Sequence, residues 1–195
     1  MYSHYDHRFD KQISIIHPGE YFSSDEDIII STILGSCIAV ALYDPEHHQG
    51  GLNHFMLPGE LHGRQFYLEE SARYGMFAME LLINDLLKKG ARRNKFTAKV
   101  FGGGHVLRNT STGNIPDSNI RFALDFLETE KIPIVSRDVG GTEARKVLFF
   151  PQTSQVLLKR FRGQDVKPVE REESAYLQRI KKSARKDTTP EVTLF

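Results

Sequence analysis

The sequence predicts an α+β protein, a layered fold in which two main helices pack against a mixed β-sheet. From about residue 37 onward, strand-like and helix-like segments follow one another in the order β-β-α-β-α-β-β-β. Because strands and helices do not alternate strictly, this order favours a layered α+β fold over a doubly wound parallel sheet. With 195 residues, the chain can form one hydrophobic core but is short for two. Three parts are expected: an N-terminal lead-in segment (1–18), a main domain (19–163) and a charged C-terminal helix or tail (164–195).

Three strands are expected in the first part of the main domain. The segment DIIISTILG (27–35) is dominated by β-branched residues, which favour strands. CIAVALY (37–43) is an apolar run of strand length, and LNHFML (52–57) has the pattern of a returning strand. Between these two, DPEHHQGG (44–51) combines Asp-Pro with two glycines, as turns do. The last two strands therefore predict a β-hairpin.

Two amphipathic helices and four further strands are expected in the rest of the main domain. From about Tyr67 to Leu87, apolar residues recur at helical spacing, and Gly90 suits the end of that helix. The second helix is expected over DSNIRFALDFLETE (117–130). One strand, FTAKVFGGG (96–104), lies between the helices. Three strands follow the second helix: KIPIVSRDVGG (131–141), RKVLFFP (145–151) and SQVLLKRF (154–161).

Composition and charge exclude several classes of protein. A formal net charge of +1 does not provide the basic surface that nucleic-acid binding needs. No apolar run approaches the roughly 20 residues that cross a bilayer, and MYSHYDHRFD (1–10) lacks the pattern of a secretory signal. A single cysteine cannot form an internal disulfide. The expected protein is cytoplasmic, without membrane insertion and without a nucleic-acid partner.

The only cysteine, Cys37, and a histidine in the returning strand, His54, could form a catalytic pair. In the predicted hairpin they lie opposite or diagonal to each other, with Cβ atoms about 4.5–8 Å apart. The sequence does not fix the register, and a slip of one residue would place them on opposite faces. A neighbouring imidazole lowers the pKa of a thiol and yields a nucleophile for acyl and amide carbons. The alternative is a cysteine that only packs in the core.

Residues just before the cysteine could supply the other parts of such a site. Backbone N–H groups in the turn at Gly35 and Ser36 could hold a developing oxyanion. A hydroxyl group of Ser31 or Thr32 could orient the imidazole through its second ring nitrogen. These groups and the Cys-His pair would complete a site for acyl transfer.

Two other groups of residues are weaker candidates for a ligand site. The histidines of the loop and its flanks lack both the helical spacing of zinc enzymes and cysteine partners, so no metal site is expected: His47, His48, His54 and His62. FGGGH (101–105) lacks the Lys-Ser/Thr of a phosphate-binding loop. Gly102 and Gly103 either permit a tight exit from a strand or, with Asn53, line a substrate groove beside the cysteine.

Several of these segments resemble one known family. STILGSCIAVALYDPEHHQGGLNHFMLP (31–58) is similar to the signature of the chemoreceptor glutamine deamidases, the bacterial chemotaxis family called CheD. The likeness extends over residues 12–160 through YGMFAMELLINDLLKKGA, AKVFGG, FALDFLETEKIPIVSRDVGG and RKVLFFPQT. It implies a protein-glutamine glutaminase, an amidohydrolase that converts glutamines in the cytoplasmic domains of chemoreceptors to glutamate through a thioester.

The resemblance also implies roles for individual residues. Cys37 would be the nucleophile and His54 the general base, without a metal or an organic cofactor. The family usually has a threonine six positions before the cysteine, which assigns the third catalytic role to Ser31, although Thr32 is its neighbour. A CheC-type chemotaxis phosphatase is a further expected partner. The alternatives are a non-catalytic regulatory module for that phosphatase and a methylesterase acting on receptor glutamyl esters. The final EVTLF (191–195) is either a frayed end or a tether for another chemotaxis protein.

Overall fold

A computed structural model describes residues 1–62, 69–106, 114–161 and 163–187. These residues form ten strands and three α-helices. The strands are β1 (Tyr2–Asp6), β2 (Lys11–Ile15), β3 (Tyr21–Ser24), β4 (Ile29–Leu34), β5 (Ile38–Asp44), β6 (Gln49–Asn53), β7 (Thr97–Gly102), β8 (Ile134–Val139), β9 (Ala144–Phe149) and β10 (Val156–Phe161). The helices are α1 (Glu70–Lys88), α2 (Ile115–Thr129) and α3 (Lys167–Asp187).

The strands form two five-stranded sheets rather than one. The first sheet has the order β1-β2-β4-β9-β10, and the second has the order β3-β6-β5-β7-β8. One pair in each sheet is parallel, namely β2 with β4 and β7 with β8, and the other pairs are antiparallel. The predicted α+β class with mixed sheets and packed helices is therefore confirmed.

The side chains of β5 point alternately into two apolar clusters, one on each face of the second sheet. Ile38, Val40 and Leu42 belong to the apolar cluster that α1 and α2 cover. Ala39 and Ala41 belong to the cluster between the two sheets. This alternation follows from the two-residue period of a strand that is buried on both faces. The result is three layers: the first sheet, the second sheet and the helices α1 and α2.

The predicted hairpin is present as β5 and β6, and its register is now fixed. Ala41 pairs with Leu52, and an isolated bridge joins Ile38 to Phe55. Cys37 and His54 directly precede the two residues of that bridge in the chain. In an antiparallel pair this places them diagonally on one face, as the hairpin geometry predicted. The returning strand itself ends at Asn53, earlier than the sequence pattern indicated.

Residues 1–18 contain regular structure that the sequence pattern did not reveal. β1 and β2 form a hairpin, and β2 pairs in parallel with β4 through Ile13 and its neighbours. Only Ile13 and Ser14 of β2 are well buried, so the apolar alternation that marks a strand is weak. The expected lead-in segment therefore belongs to the first sheet. The expected boundaries after residues 18 and 163 stay predictions.

The charged C-terminal part forms the long helix α3, which packs on the rest of the chain. Its buried side chains include Val169, Leu177 and Ile180, although most of its residues are charged or polar. Leu177 and Ile180 join the apolar cluster between the sheets. Residues 188–195, which include the possible tether EVTLF, lie outside the described residues. None of the described helices is long and apolar enough to cross a membrane.

Candidate active site

The loop between β4 and β5 places Cys37 at the end of the cluster between the two sheets. The cysteine is fully buried, and three glycines lie behind its backbone. The N–H of Gly103 donates to the carbonyl of Cys37 at 2.7 Å, and that of Gly104 donates to the carbonyl of Gly35 at 2.7 Å. At Gly102, where φ is +113°, a Cβ atom would lie 2.2 Å from the carbonyl oxygen of Cys37. The glycines thus allow β7 to approach the back of the loop.

Asn119 of α2 fixes the remaining carbonyl of the loop. Its Nδ2 donates to the carbonyl of Ser36 at 2.9 Å, and its Oδ1 accepts from the N–H of Leu57 at 2.8 Å. Asn119 is fully buried and was not among the predicted site residues. Because the carbonyls of Gly35, Ser36 and Cys37 all point toward these supports, the N–H groups of the loop point the other way, into the site.

The imidazole of His54 is held by Thr32. Thr32 Oγ1 lies 2.7 Å from His54 Nδ1 and donates its proton to the carbonyl of Ile16 at 2.8 Å. A hydroxyl group has one proton to donate, so the bond to the histidine must run from Nδ1–H to the threonine oxygen. This network assigns the tautomer with the proton on Nδ1 and a lone pair on Nε2. That lone pair is what a general base requires.

The third role was expected at Ser31, but the hydroxyl group that contacts the imidazole belongs to its neighbour, Thr32. Successive side chains of a strand point to opposite faces, so Ser31 and Thr32 of β4 cannot both face the imidazole. Thr32 makes the hydrogen bond to His54. Ser31 instead accepts a hydrogen bond on its backbone carbonyl from the N–H of Ile16 at 2.9 Å. The spacing of the motif identified the strand but not the face.

Cys37, His54 and a third residue, Glu173 of α3, meet at one point. The Cys37 Sγ, a ring nitrogen of His54 and a carboxylate oxygen of Glu173 lie within 4.8 Å of one another. His54 Nε2 is buried, and it has no hydrogen-bond partner among the described residues. Because Thr32 occupies Nδ1, Nε2 is the ring nitrogen available to the thiol.

The carboxylate of Glu173 is bound by the loop of residues 35–37, which we call the cysteine loop. The N–H groups of this loop form a binding site for an anion, which we call the cradle. Glu173 Oε1 accepts from the N–H groups of Gly35 at 2.8 Å and Cys37 at 3.0 Å. Its Oε2 accepts from the N–H and the hydroxyl of Ser36, each at 2.7 Å. A Cβ atom on Gly35 would lie 2.7 Å from Oε2, so only glycine leaves room for the carboxylate. The loop predicted to hold an oxyanion thus binds an anion in this structure.

The pKa values of the pair differ from those that the sequence suggested. Burial raises the pKa of the Cys37 thiol, and the charge of Glu173 and its hydrogen bond to the thiol raise it further. Burial also lowers the pKa of His54 to about 3, with a smaller contribution from His17. Both groups are therefore neutral at pH 7. A lowered thiol pKa was expected from a nearby imidazole, but the expectation took no account of α3.

Comparison with known proteins places the chain in a family. A family model described as CheD chemotactic sensory transduction matches residues 56–160, which is more than half of the chain. The chain belongs to the CheD family. The matched span begins after Cys37 and His54, so the functions proposed for these two residues are supported by geometry and by the resemblance of the motif around them.

Relatives of this CheD family member extend the similarity over most of the chain. A probable chemoreceptor glutamine deamidase CheD 1 of Shewanella oneidensis is 48% identical over 178 residues, covering 91% of this chain and 86% of the relative. A probable chemoreceptor glutamine deamidase CheD of Cupriavidus metallidurans is 42% identical, covering 98% of this chain and 88% of the relative. A protein of the same name from Thiobacillus denitrificans is 43% identical, covering 98% and 94%.

Cys37, His54 and Glu173 of this CheD family member are residue types that also bind metal ions. Their arrangement nevertheless fits an anion better than a cation. Both oxygens of Glu173 already accept from backbone N–H groups, and a cation at this place would face the positive ends of three N–H dipoles. The expectation that no metal is needed stays a prediction, and the electrostatics of the cradle support it.

The predicted substrate groove consists of residues with different surroundings. Asn53 Oδ1 accepts from the N–H of Val40 at 2.8 Å, and its Nδ2 donates to the carbonyl of Ala78 at 3.3 Å. Asn53 also borders a cavity of about 210 Å³ between α1 and α3. Gly102 and Gly103 lie behind the cysteine loop rather than beside this cavity. A groove that contains all three residues stays a prediction.

Proposed function

We propose that this CheD family member is a protein-glutamine deamidase that acts on the cytoplasmic domains of chemoreceptors. The observation that carries the proposal is the chain of groups from Thr32 through His54 to Cys37, beside three converging backbone N–H groups. A nucleophile, a base of defined tautomer and an anion cradle are the parts that acyl transfer from an amide needs. The names of the relatives support an amide substrate on a chemoreceptor.

The first half of the proposed reaction forms a thioester. His54 Nε2 takes the proton of the Cys37 thiol, and the sulfur attacks the side-chain amide carbon of a glutamine. The amide oxygen becomes an oxyanion that the N–H groups of Gly35, Ser36 and Cys37 stabilise. Return of the proton from His54 to the amide nitrogen then releases ammonia and leaves the acyl group on sulfur.

The second half of the proposed reaction hydrolyses the thioester. His54 Nε2 removes a proton from a water molecule, whose oxygen attacks the thioester carbon. The same N–H groups stabilise the second oxyanion, and the proton passes to the departing sulfur. The products are a glutamate side chain and the free Cys37 thiol. Each turnover therefore replaces a neutral side chain of the receptor by a carboxylate.

The cellular setting follows from the proposed substrate. Because the modified helices lie in the cytoplasmic part of the receptor, we expect the protein in the cytoplasm. A CheC-type chemotaxis phosphatase remains a proposed second partner. A regulatory module without catalysis is the competing function, and the carboxylate of Glu173 in the cradle is the observation that favours it. A methylesterase would use the same residues on a glutamyl methyl ester.

Mass spectrometry of a receptor cytoplasmic fragment separates these functions. Deamidation adds about 1 Da to the modified peptide, whereas ester hydrolysis removes about 14 Da. We expect the gain of mass with the intact chain and no change with the Cys37→Ala variant, since alanine fits the small site of the thiol. An unchanged fragment with the intact chain would favour the regulatory module. Conversion by the alanine variant would exclude a cysteine nucleophile.

A further inference from the structure

The helix α3 brings a carboxylate into the centre of the proposed active site. Glu173 is 1% exposed, and all four donors that surround it belong to the loop of the nucleophile. Burial of a carboxylate is costly unless hydrogen bonds compensate for the lost water. Here the compensation comes from groups that the proposed reaction needs for its oxyanion.

The side of α3 that carries Glu173 is otherwise apolar. Tyr176, Leu177 and Ile180 follow it at three, four and seven positions, which places them on one helix face. Leu177 and Ile180 pack into the cluster that contains Cys37 and Met56. Tyr176 lies over Gly19, where a Cβ atom would come within 2.8 Å of the tyrosine oxygen. The acidic residue is thus anchored by apolar neighbours.

The position of this side chain matches the chemistry of the site. A glutamate is the product that deamidation of a glutamine leaves behind. The carboxylate of Glu173 lies within 4.8 Å of the thiol and the imidazole, with its oxygens on the N–H groups that would hold the oxyanion. The neighbouring Glu172 points elsewhere, and its Oε1 lies 2.6 Å from His17 Nδ1 at the surface.

We propose that α3 occupies the substrate position as a built-in product analogue, with Glu173 in place of the glutamate that the reaction forms. The substrate would then be a helix whose reactive glutamine is followed by large apolar side chains at three, four and seven positions. α3 must leave before such a helix binds, so it also limits the activity of the resting protein. This inference rests on the proposed deamidase function and adds to it the shape of the substrate and a means of control.

The inference predicts that the protein modifies itself when Glu173 is replaced by glutamine. In the Glu173→Gln variant, the introduced amide lies beside the thiol. Attack of Cys37 releases ammonia and forms an internal thioester, which lowers the mass by about 17 Da, and hydrolysis gives glutamate, a gain of about 1 Da over the amide. Peptide mapping of the purified full chain should find one of these two products. The extent should not depend on protein concentration, because the reaction is intramolecular.

Matched variants separate this reaction from spontaneous deamidation. The double variant Cys37→Ala/Glu173→Gln should keep its amide. So should the Glu172→Gln variant, whose side chain faces the surface, and Gln178, an exposed native glutamine of the same helix. A Glu173→Gln chain that keeps its amide, while the intact chain deamidates a receptor fragment, would overturn the inference and leave the function intact. Failure of both reactions would count against the function itself.

The proposed restraint of receptor deamidation by α3 can be tested separately in the full chain. The Glu173→Ala variant loses the contacts that fill the cradle, so receptor deamidation should rise by about tenfold, as expected when the competent state becomes more populated. The Glu172→Ala variant should behave like the intact chain. An unchanged or lower rate with Glu173→Ala would overturn the part of the inference that assigns α3 a restraining role.

The expected spacing of the substrate can be tested with peptides. A synthetic peptide of residues 167–187 with glutamine at position 173 should be deamidated by the Glu173→Ala chain. The same peptide with serine in place of Leu177 and Ile180 should react at least about tenfold more slowly, because it loses the apolar anchors. Equal rates for the two peptides would overturn the proposed spacing of apolar residues.

Discussion

A single hydrogen bond decides which nitrogen of His54 can act as a base. Thr32 donates its only proton to the carbonyl of Ile16, so its oxygen must accept from His54 Nδ1. The lone pair on Nε2 is then fixed beside Cys37 before any substrate arrives. Without Thr32, the proton could move to Nε2, and the imidazole could no longer accept the proton of the thiol.

The first prediction concerns this threonine. Thr32→Val keeps the shape of the side chain but loses the hydroxyl group. It should lower kcat for receptor deamidation by about 10²-fold, since general base catalysis contributes about 10²–10⁴-fold. KM should change little, because Thr32 contacts Nδ1 of the imidazole and not the nitrogen that faces the thiol in the proposed reaction. Steady-state kinetics on a receptor fragment measures both constants.

Two conservative variants serve as controls for this prediction. Thr32→Ser keeps the hydroxyl group and should restore most of kcat. Ser31→Ala should be close to the intact chain, because the side chain of Ser31 lies on the opposite face of β4. If Ser31→Ala were the damaging change and Thr32→Val were silent, the role assigned to Thr32 would be wrong.

The residues of the site differ in how well the sequence predicts them. Cys37 and His54 belong to one short hairpin. The alternation of side chains along its two strands therefore limits which face of the sheet each residue can take. Identifying Thr32 requires knowing which side chains of β4 point toward His54, and a count of positions from the cysteine does not give this. Glu173 lies 136 residues beyond Cys37, and no local pattern connects them. Its only signal is an acidic residue on the otherwise apolar face of an amphipathic helix.

At the level of elements, α3 determines the state of the nucleophile. Its packing buries Cys37, and Glu173 adds a negative charge beside the sulfur. Both effects disfavour the thiolate, so the pKa of Cys37 is raised. A thiol reacts as its thiolate, so we expect the docked helix to slow reactions of the Cys37 thiol at neutral pH. Release of the helix would remove both effects together.

The second prediction follows from this coupling. Alkylation of Cys37 by iodoacetamide should be slow at pH 7 in the intact chain and should rise only above the ordinary pKa of a thiol, about 8.5. In the Glu173→Ala variant the pKa of Cys37 should be lower, because the neighbouring charge is gone. The whole profile of rate against pH should then shift to lower pH. Mass spectrometry of the quenched protein follows the reaction.

Cys37 is the only cysteine, so the modification needs no correction for other thiols. Glu172→Ala is the matched control, since Glu172 is a neighbouring acidic residue at the surface of the same helix. Its alkylation profile should shift far less than that of the Glu173→Ala variant, because the charge of Glu172 contributes least to the raised pKa of Cys37. Identical profiles for all three proteins would contradict the influence assigned to Glu173.

At the level of the whole molecule, the elements that the sequence predicted well are those with a residue pattern contained within their own segment. β4 and β5 carry a continuous apolar signal and α2 an amphipathic one, and these elements and the strands after α2 appear close to the expected places. β1, β2 and β3 are short and partly exposed. β2 and β3 become strands because β4 and β6 offer edges for pairing, and β1 pairs in turn with β2. The division of the strands into two sheets depends on contacts between distant segments, which the order of elements does not specify.

The buried imidazole should also affect the stability of the whole molecule. Burial lowers the pKa of His54 to about 3 in the folded protein, whereas an unfolded chain has a histidine pKa of about 6.5. Below pH 6.5, the unfolded chain therefore binds a proton at His54 that the folded chain does not bind. The stability is present above pH 6.5 and is lost as the pH falls toward 3. The slope is about 1.4 kcal/mol per pH unit.

This linkage gives the third prediction. Between pH 6.5 and pH 5, protonation of His54 in the unfolded chain should cost the intact protein about 2 kcal/mol of unfolding free energy. The His54→Gln variant can still donate to Thr32 but has no group that titrates, so it should lose about 2 kcal/mol less over the same range. Urea unfolding at the two pH values measures both losses.

His62→Gln makes the same change at an exposed histidine and should lose as much as the intact protein. If His54→Gln also lost as much as the intact protein, His54 would not be the buried neutral base that the proposed reaction requires.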